Sequence, residues 1–203
     1  PIAVVQPGSV EELQEVVRVA TGLGIAIVTR GGGASYTDGY LVTTPKSITI
    51  DTSRLNKIVE INKEDMLVTV EPGVTWAEMT AALAEKNLRT PFWGPFSGLK
   101  ATVGGSTSQN SLSMGTSAYG GSPESILCYD IVLPSGKILK TGSSSMENSS
   151  AFFRHYGPDL TGLFSGDAGA LGVKARITLR LIKLPTHSLT CSFGFKDYGS
   201  MSE

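Results

Sequence analysis

The sequence predicts an α+β fold, on three observations. Two helical segments, each opened by a capping-box pattern, stand among short apolar runs of strand length. Several of those runs are joined by turn signals, as at Lys63-Glu64-Asp65 and Pro134-Ser135-Gly136-Lys137. Late in the chain, Val173, Ala175, Ile177, Leu179 and Leu181 alternate with Lys174, Arg176, Thr178 and Arg180. Such alternation describes a half-buried strand with one wet or domain-facing side.

In chain order, Ala3-Val4-Val5 is a short strand candidate, followed by Pro7-Gly8 and the box Ser9-Val10-Glu11-Glu12. In that pattern the serine accepts from the amide three residues on while the glutamate reaches back. Leu13, Val16, Val17 and Ala20 then recur at helical spacing, and Gly22 and Gly24 end the segment. Strands are expected over residues 25–29, 47–51, 58–62 and 66–71. A second box, Thr75-Trp76-Ala77-Glu78, opens a helix to about residue 86, with Met79 and Leu83 facing the core. Residues 91–98 read as loop. Residues 101–121 are nearly uncharged and rich in Gly, Ser and Thr, yet Val103, Leu112, Met114 and Tyr119 argue against a linker. Strands follow over 126–133 and 138–140, a polar loop over 143–150, and Pro185 ends the last strand.

Composition narrows the function. The chain has 203 residues, a net charge of −1 and 40% hydrophobic residues, enough for a substantial core in one or two domains. No basic surplus points to nucleic acid. No apolar run approaches the roughly 18 residues of a membrane span, and no secretory signal is visible. A cytoplasmic protein is expected, and the Asn148-Ser149-Ser150 glycosylation triplet is discounted on the same ground. The chain opens on Pro1, so residues upstream of it are expected. With Cys128, Cys191, His155 and His187 dispersed, a metal site is not expected, and Cys128 reads as a buried thiol.

Three glycine-rich stretches carry the functional signal. In Arg30-Gly31-Gly32-Gly33-Ala34-Ser35, after an apolar run, the missing Cβ atoms let the chain turn and gather its amides on a concave surface. A tight surface turn explains one such loop, but Ala101-Thr102-Val103-Gly104-Gly105 and Gly166-Asp167-Ala168-Gly169-Ala170-Leu171-Gly172 add two more. The Rossmann fingerprint fails, because Tyr36 stands where its third glycine belongs. A Walker loop fails at Ile138, after Gly136-Lys137. Gly104-Gly105-Ser106-Thr107-Ser108 lacks the closing glycine of a nucleophile elbow.

The order and spacing of these motifs resemble the FAD-binding domain of the FAD-linked oxidase family, of the vanillyl-alcohol oxidase or p-cresol methylhydroxylase type that includes D-lactate and glycolate dehydrogenases. The resemblance runs from Pro7 to Pro185. It rests on the three glycine stretches with Val70-Glu71-Pro72-Gly73-Val74-Thr75, Asn110, Tyr119-Gly120, Val132-Leu133-Pro134-Ser135-Gly136 and Asp159-Leu160-Thr161-Gly162-Leu163-Phe164. It implies the two-subdomain FAD-binding fold of that type over residues 1–185, divided near residue 62, with 186–203 beginning a substrate-binding domain that continues beyond Glu203.

The resemblance also implies a cofactor site. Arg30, Gly31, Gly32, Gly33, Ala34 and Ser35 would serve the FAD pyrophosphate, with Arg30 read equally as a clamp on its own loop. Pro95, Phe96, Ser97, Ala101, Thr102, Val103, Gly104 and Gly105 would line flavin and pyrophosphate. Gln109 and Asn110 would reach the cofactor, and Gly172 and Val173 would approach its nucleotide end. Ala34 and Lys100 replace the histidine and cysteine that bond flavin in some relatives, so non-covalent FAD is expected. Ser113 replaces a common glycine, and Ala168 a common acidic residue. The implied activity is oxidation of a small 2-hydroxy acid or alcohol by hydride transfer to flavin. A flavin-containing transferase of the alkylglycerone-phosphate synthase type and a non-catalytic FAD-binding module are the alternatives. No general base is evident; His155 is the mid-chain candidate, with a surface or capping role favoured. An oligomeric or electron-acceptor partner is left open.

Overall fold

A computed structural model of the chain describes residues 1–202. Three strands, β1 (Ala3–Val5), β2 (Ala26–Arg30) and β3 (Ser47–Asp51), form a parallel sheet in the order β1-β3-β2. Parallel neighbours need a crossover, and helix α1 (Val10–Gly22) provides it between β1 and β2. Ser9 Oγ accepts from the Glu12 amide at 3.2 Å, while Glu12 reaches back to the Gly8 amide at 2.7 Å, one residue before the cap. Val10, Leu13, Val17 and Ala20 of α1 are buried against Ile48, Ile50 and Leu55.

The second sheet is antiparallel and five-stranded, in the order β4 (Ile58–Asn62), β5 (Leu67–Val70), β9 (Val173–Arg180), β7 (Ile126–Val132) and β8 (Ile138–Lys140). A short ladder joins β6 (Leu88–Arg89) to β10 (Ile182–Lys183). Because β4 belongs to the second sheet, the change of sheet falls between Asp51 and Ile58, one strand earlier than the expected division near residue 62. Helix α2 (Trp76–Ala84) has its full capping box, with Met79 and Leu83 at 0% and 1% exposure in the main core. Residues 101–121 hold helices α3 (Val103–Ser108) and α4 (Thr116–Tyr119), neither of which the sequence pattern indicates.

Strand β9 ties the molecule together. Its Val173 and Ala175 pack in the cluster around α1, and its Ile177 and Leu179 pack in the cluster around α2. Of the expected wet or domain-facing side, the wet alternative does not hold, since only Arg176 is exposed. Lys174 and Thr178 are each 4% exposed, because the 166–172 loop covers the first and Thr69 Oγ1 meets Thr178 Oγ1 at 3.0 Å. Helix α1 is also tied to the β7–β8 turn, where Gln14 donates to Gly136 O at 2.7 Å and Thr21 to Pro134 O at 2.5 Å. Among the described residues no helix is long and apolar enough to cross a membrane.

Candidate functional site

The triple-glycine loop leaves the C-terminal end of β2 and presses against residues 100–102. A Cβ on Gly32 would fall on the Lys100 carbonyl oxygen, and one on Gly31 would collide with Thr102 Oγ1. Only Gly33 needs its conformational freedom, at φ +66°. The loop is therefore glycine-rich mainly for close approach. Among the described residues, the amides of Gly32, Gly33, Ala34 and Ser35 donate to no protein acceptor. These residues are half-buried or, at Ala34, exposed, and successive free amides at a cavity form a concave surface that suits an anionic ligand.

Of the two roles left open by the sequence, the geometry shows Arg30 as a clamp on its own loop. Its guanidinium lies 2.7 Å from where a Gly33 Cβ would sit, and its Nη1 stands 3.4 Å from Asp51 Oδ2, so it clamps its own loop. It also lines the cavity. Burial resists charge on Asp51, yet the Ser53 amide and hydroxyl, Gln6 and Arg30 hold its carboxyl below the ordinary aspartate range.

Helix α3 forms the second wall. Thr102 Oγ1 caps it by accepting from the Gly105 amide at 3.2 Å. The Val103 and Gly104 amides are taken by Val74 O at 2.8 Å and Pro72 O at 3.0 Å. This wall thus offers small side chains and close backbone rather than free amides. Inside, Trp76 Nε1 donates to Ser106 Oγ at 2.7 Å and fixes the helix on the core. Gln109 joins the first two walls, its Oε1 accepting from Thr37 Oγ1 at 2.8 Å. Ser111 Oγ is buried in the lining with no partner among the described residues.

The third wall comes from residues 168–174. The Gly166 and Ala168 amides donate to Thr107 O at 2.9 Å and Ser108 O at 2.8 Å, docking this loop on the C-terminal end of α3. Together the walls enclose a cavity of about 380 Å³, within the range of about 300–1,000 Å³ common for small-molecule sites.

Most residues singled out in the sequence line this cavity: Arg30 to Ser35, Pro95, Ser97, Ala101, Thr102, Gly104, Gly105, Gln109, Asn110, Gly172 and Val173. Two do not. Val103 turns into the main core at 0% exposure, and Phe96 turns to solvent at 88%. His155 is exposed and outside the lining. Sequence reasoning missed Thr37, Tyr40, Ser111, Ala168, Gly169 and Lys174. The third glycine stretch already contained Ala168 and Gly169. No local pattern marks Lys174, which reads as one polar position of an alternating strand. The charged residues of the lining, Arg30 and Lys174, are both cationic.

Cationic side chains, free loop amides and close backbone at the end of a parallel sheet suit an anionic dinucleotide, and they define a nucleotide-cofactor-binding domain. Comparison with known families makes the assignment particular. Residues 1–142 match the family model described as an FAD binding domain, and the chain belongs to that family, with FAD as its cofactor. Over 195 residues it is 33% identical to a mitochondrial D-lactate dehydrogenase (cytochrome) of Arabidopsis thaliana, covering 95% of this chain and 33% of that protein. It is 29% identical over 185 residues to the glycolate oxidase subunit GlcD of Bacillus subtilis, covering 91% and 38%. A D-2-hydroxyglutarate dehydrogenase of Xanthomonas citri pv. viticola is 32% identical over 189 residues, at 93% and 38% coverage. The chain thus spans 33–38% of the length of these relatives.

Among solved structures, alkyldihydroxyacetonephosphate synthase superposes with a TM-score of 0.78 at 21% identity, covering 91% of this chain and 32% of that one. The shared fold is the two-subdomain FAD-binding fold of the p-cresol methylhydroxylase type.

Proposed function

We propose that this chain is the FAD-binding part of an oxidoreductase that oxidises a small 2-hydroxy acid or alcohol. One observation carries the reading. Three relatives of 29–33% identity are named for lactate, glycolate and 2-hydroxyglutarate, which share a hydroxyl on the carbon beside a carboxylate. When bound, FAD supplies a two-electron acceptor for the hydride of that carbon. The chain's own residues bind and orient the cofactor: loop amides 32–35 and Arg30 meet its phosphates, and Gly104 and Gly105 let it lie against backbone. The hydroxyl proton needs a base, and among the described residues the lining holds no histidine or carboxylate. We place the base in a second domain, which residues 186–203 begin. In support, Leu189, Phe193 and Tyr198 are 88%, 80% and 78% exposed, apolar surface of the kind a further domain covers.

Anaerobic mixing of the full-length, FAD-loaded protein with a panel of 2-hydroxy acids and alcohols tests the reading. Bleaching of the flavin band is expected with at least one. A flavin that no member bleaches would sink the oxidation reading, and product exchange without bleaching would establish the transferase alternative. The flavin is further proposed to be held without a covalent bond, because Ala34 and Lys100 offer no bonding side chain where some relatives have one. After acid precipitation the yellow colour is expected in the supernatant; colour retained by the pellet would refute it.

A further inference from the structure

Behind the third wall lies an ion pair that the alternating pattern of β9 does not foretell. Lys174 Nζ donates to Asp167 Oδ1 at 2.7 Å, and the two side chains are 3% and 2% exposed. The same oxygen accepts from the Gly169 amide at 3.0 Å, while Asp167 Oδ2 is buried with no partner among the described residues. The ammonium stands 5.4 Å from the centre of the Tyr129 ring. Burial depresses the pKa of Lys174, and the Asp167 carboxylate opposes that effect. A buried pair adds little stability over apolar residues of the same volume, and perturbed buried charges gather at functional sites.

Placement gives the pair its meaning. Lys174 belongs to the cavity lining and Asp167 does not. An ammonium has three donors, and Asp167 takes one of them. A Cβ on Gly169 would approach Thr29 Oγ1 to 2.5 Å, so this wall touches β2 just before the loop of free amides. Lys174 thus shares a cavity lining with the loop of free amides.

We propose that Lys174 is a cofactor-binding residue that donates to the phosphate-bearing half of FAD, and that Asp167 is a positioning residue that keeps the ammonium in place. The proposal concerns the cofactor site alone, so its failure would leave the oxidation reading standing.

The test is the double variant Asp167→Asn with Lys174→Met in the full-length protein, which removes both charges at similar volume. Calorimetric Kd values for FAD and for ADP are expected to rise about ten- to a hundredfold at low salt. Lys174→Arg, which keeps the charge, is expected to retain most of the affinity. A double variant that binds FAD within about twofold of the unaltered protein at low salt would overturn the proposal. A readout that needs no folded double variant is the Lys174 Cε resonance of lysine-labelled protein, assigned by its loss in Lys174→Arg. It is expected to move on adding ADP and to stay put with adenosine; no response to ADP would also overturn the proposal.

Discussion

At the residue scale, the neighbouring Gly32 and Gly33 of the first loop answer different needs, a close contact and a φ of +66°. Gly32 is held by contact rather than by backbone angle, so Gly32→Ala must push the Lys100 carbonyl aside. We expect a loss of about 1–3 kcal/mol in urea unfolding, together with weaker FAD binding in titration. Gly22 makes the contrast: nothing stands within 4 Å of its position at the end of α1. Gly22→Ala is expected to be neutral or to stabilise by up to about 1 kcal/mol. Tyr129 yields a pH dependence. Burial pushes its hydroxyl up to about 12 from 10.0, against hydrogen bonds from Ser165 and Thr107. A raised folded-state pKa means that the contribution is fully present below pH 10 and is lost as pH rises through 12. In unfolding experiments across that window, the unaltered protein should lose about 2–3 kcal/mol that Tyr129→Phe does not lose; equal losses would refute the assignment. Residue identities of the cavity were legible where composition sets them, in the glycines and Ser35. Phe96, Val103 and Lys174 were not, because the direction of each depends on what packs above it.

At the element scale, capping chemistry made helices α1 and α2 legible, since an N-cap is a local property of four residues. Thr75 shows its weight, accepting from the Glu78 amide at 3.2 Å while its own amide donates to Glu78 Oε2 at 2.9 Å. Thr75→Ala is expected to cost about 1 kcal/mol in chemical denaturation; no measurable loss would show that the packing of Trp76 alone holds the turn. Helix α3 was illegible for the opposite reason. Gly104 and Gly105 lie within six residues and disfavour helix by about 1 kcal/mol each. The helix forms because Thr102, Val74 and Pro72 take its first amides, and those partners precede it in the chain by up to 32 residues, as for Gly104 and Pro72 (104 − 72). In β9 the alternating pattern located the strand but misjudged its polar side, since tertiary cover from the 166–172 loop and Thr69 overrides local hydropathy.

At the scale of the whole molecule, β9 contributes to both hydrophobic clusters and α1 is bonded to the β7–β8 turn. The two sheets are therefore expected to unfold together. Denaturation followed by circular dichroism and by tryptophan fluorescence, which reports Trp76 in the core of the second sheet and Trp93 beside Arg89, should give one coincident transition. A first transition seen only in the circular dichroism would show the parallel sheet melting alone. Each wall of the cavity was visible in the sequence as a glycine-rich stretch, but nothing local showed that the three meet. Their separation has a consequence for biosynthesis. The cavity draws on residues near 30, near 104 and up to 174, so a nascent chain still lacking β9 presents two walls and no enclosure. FAD capture must then wait until nearly the whole of this domain has left the ribosome, and a chain stalled earlier stays colourless however much of the flavin loop it displays.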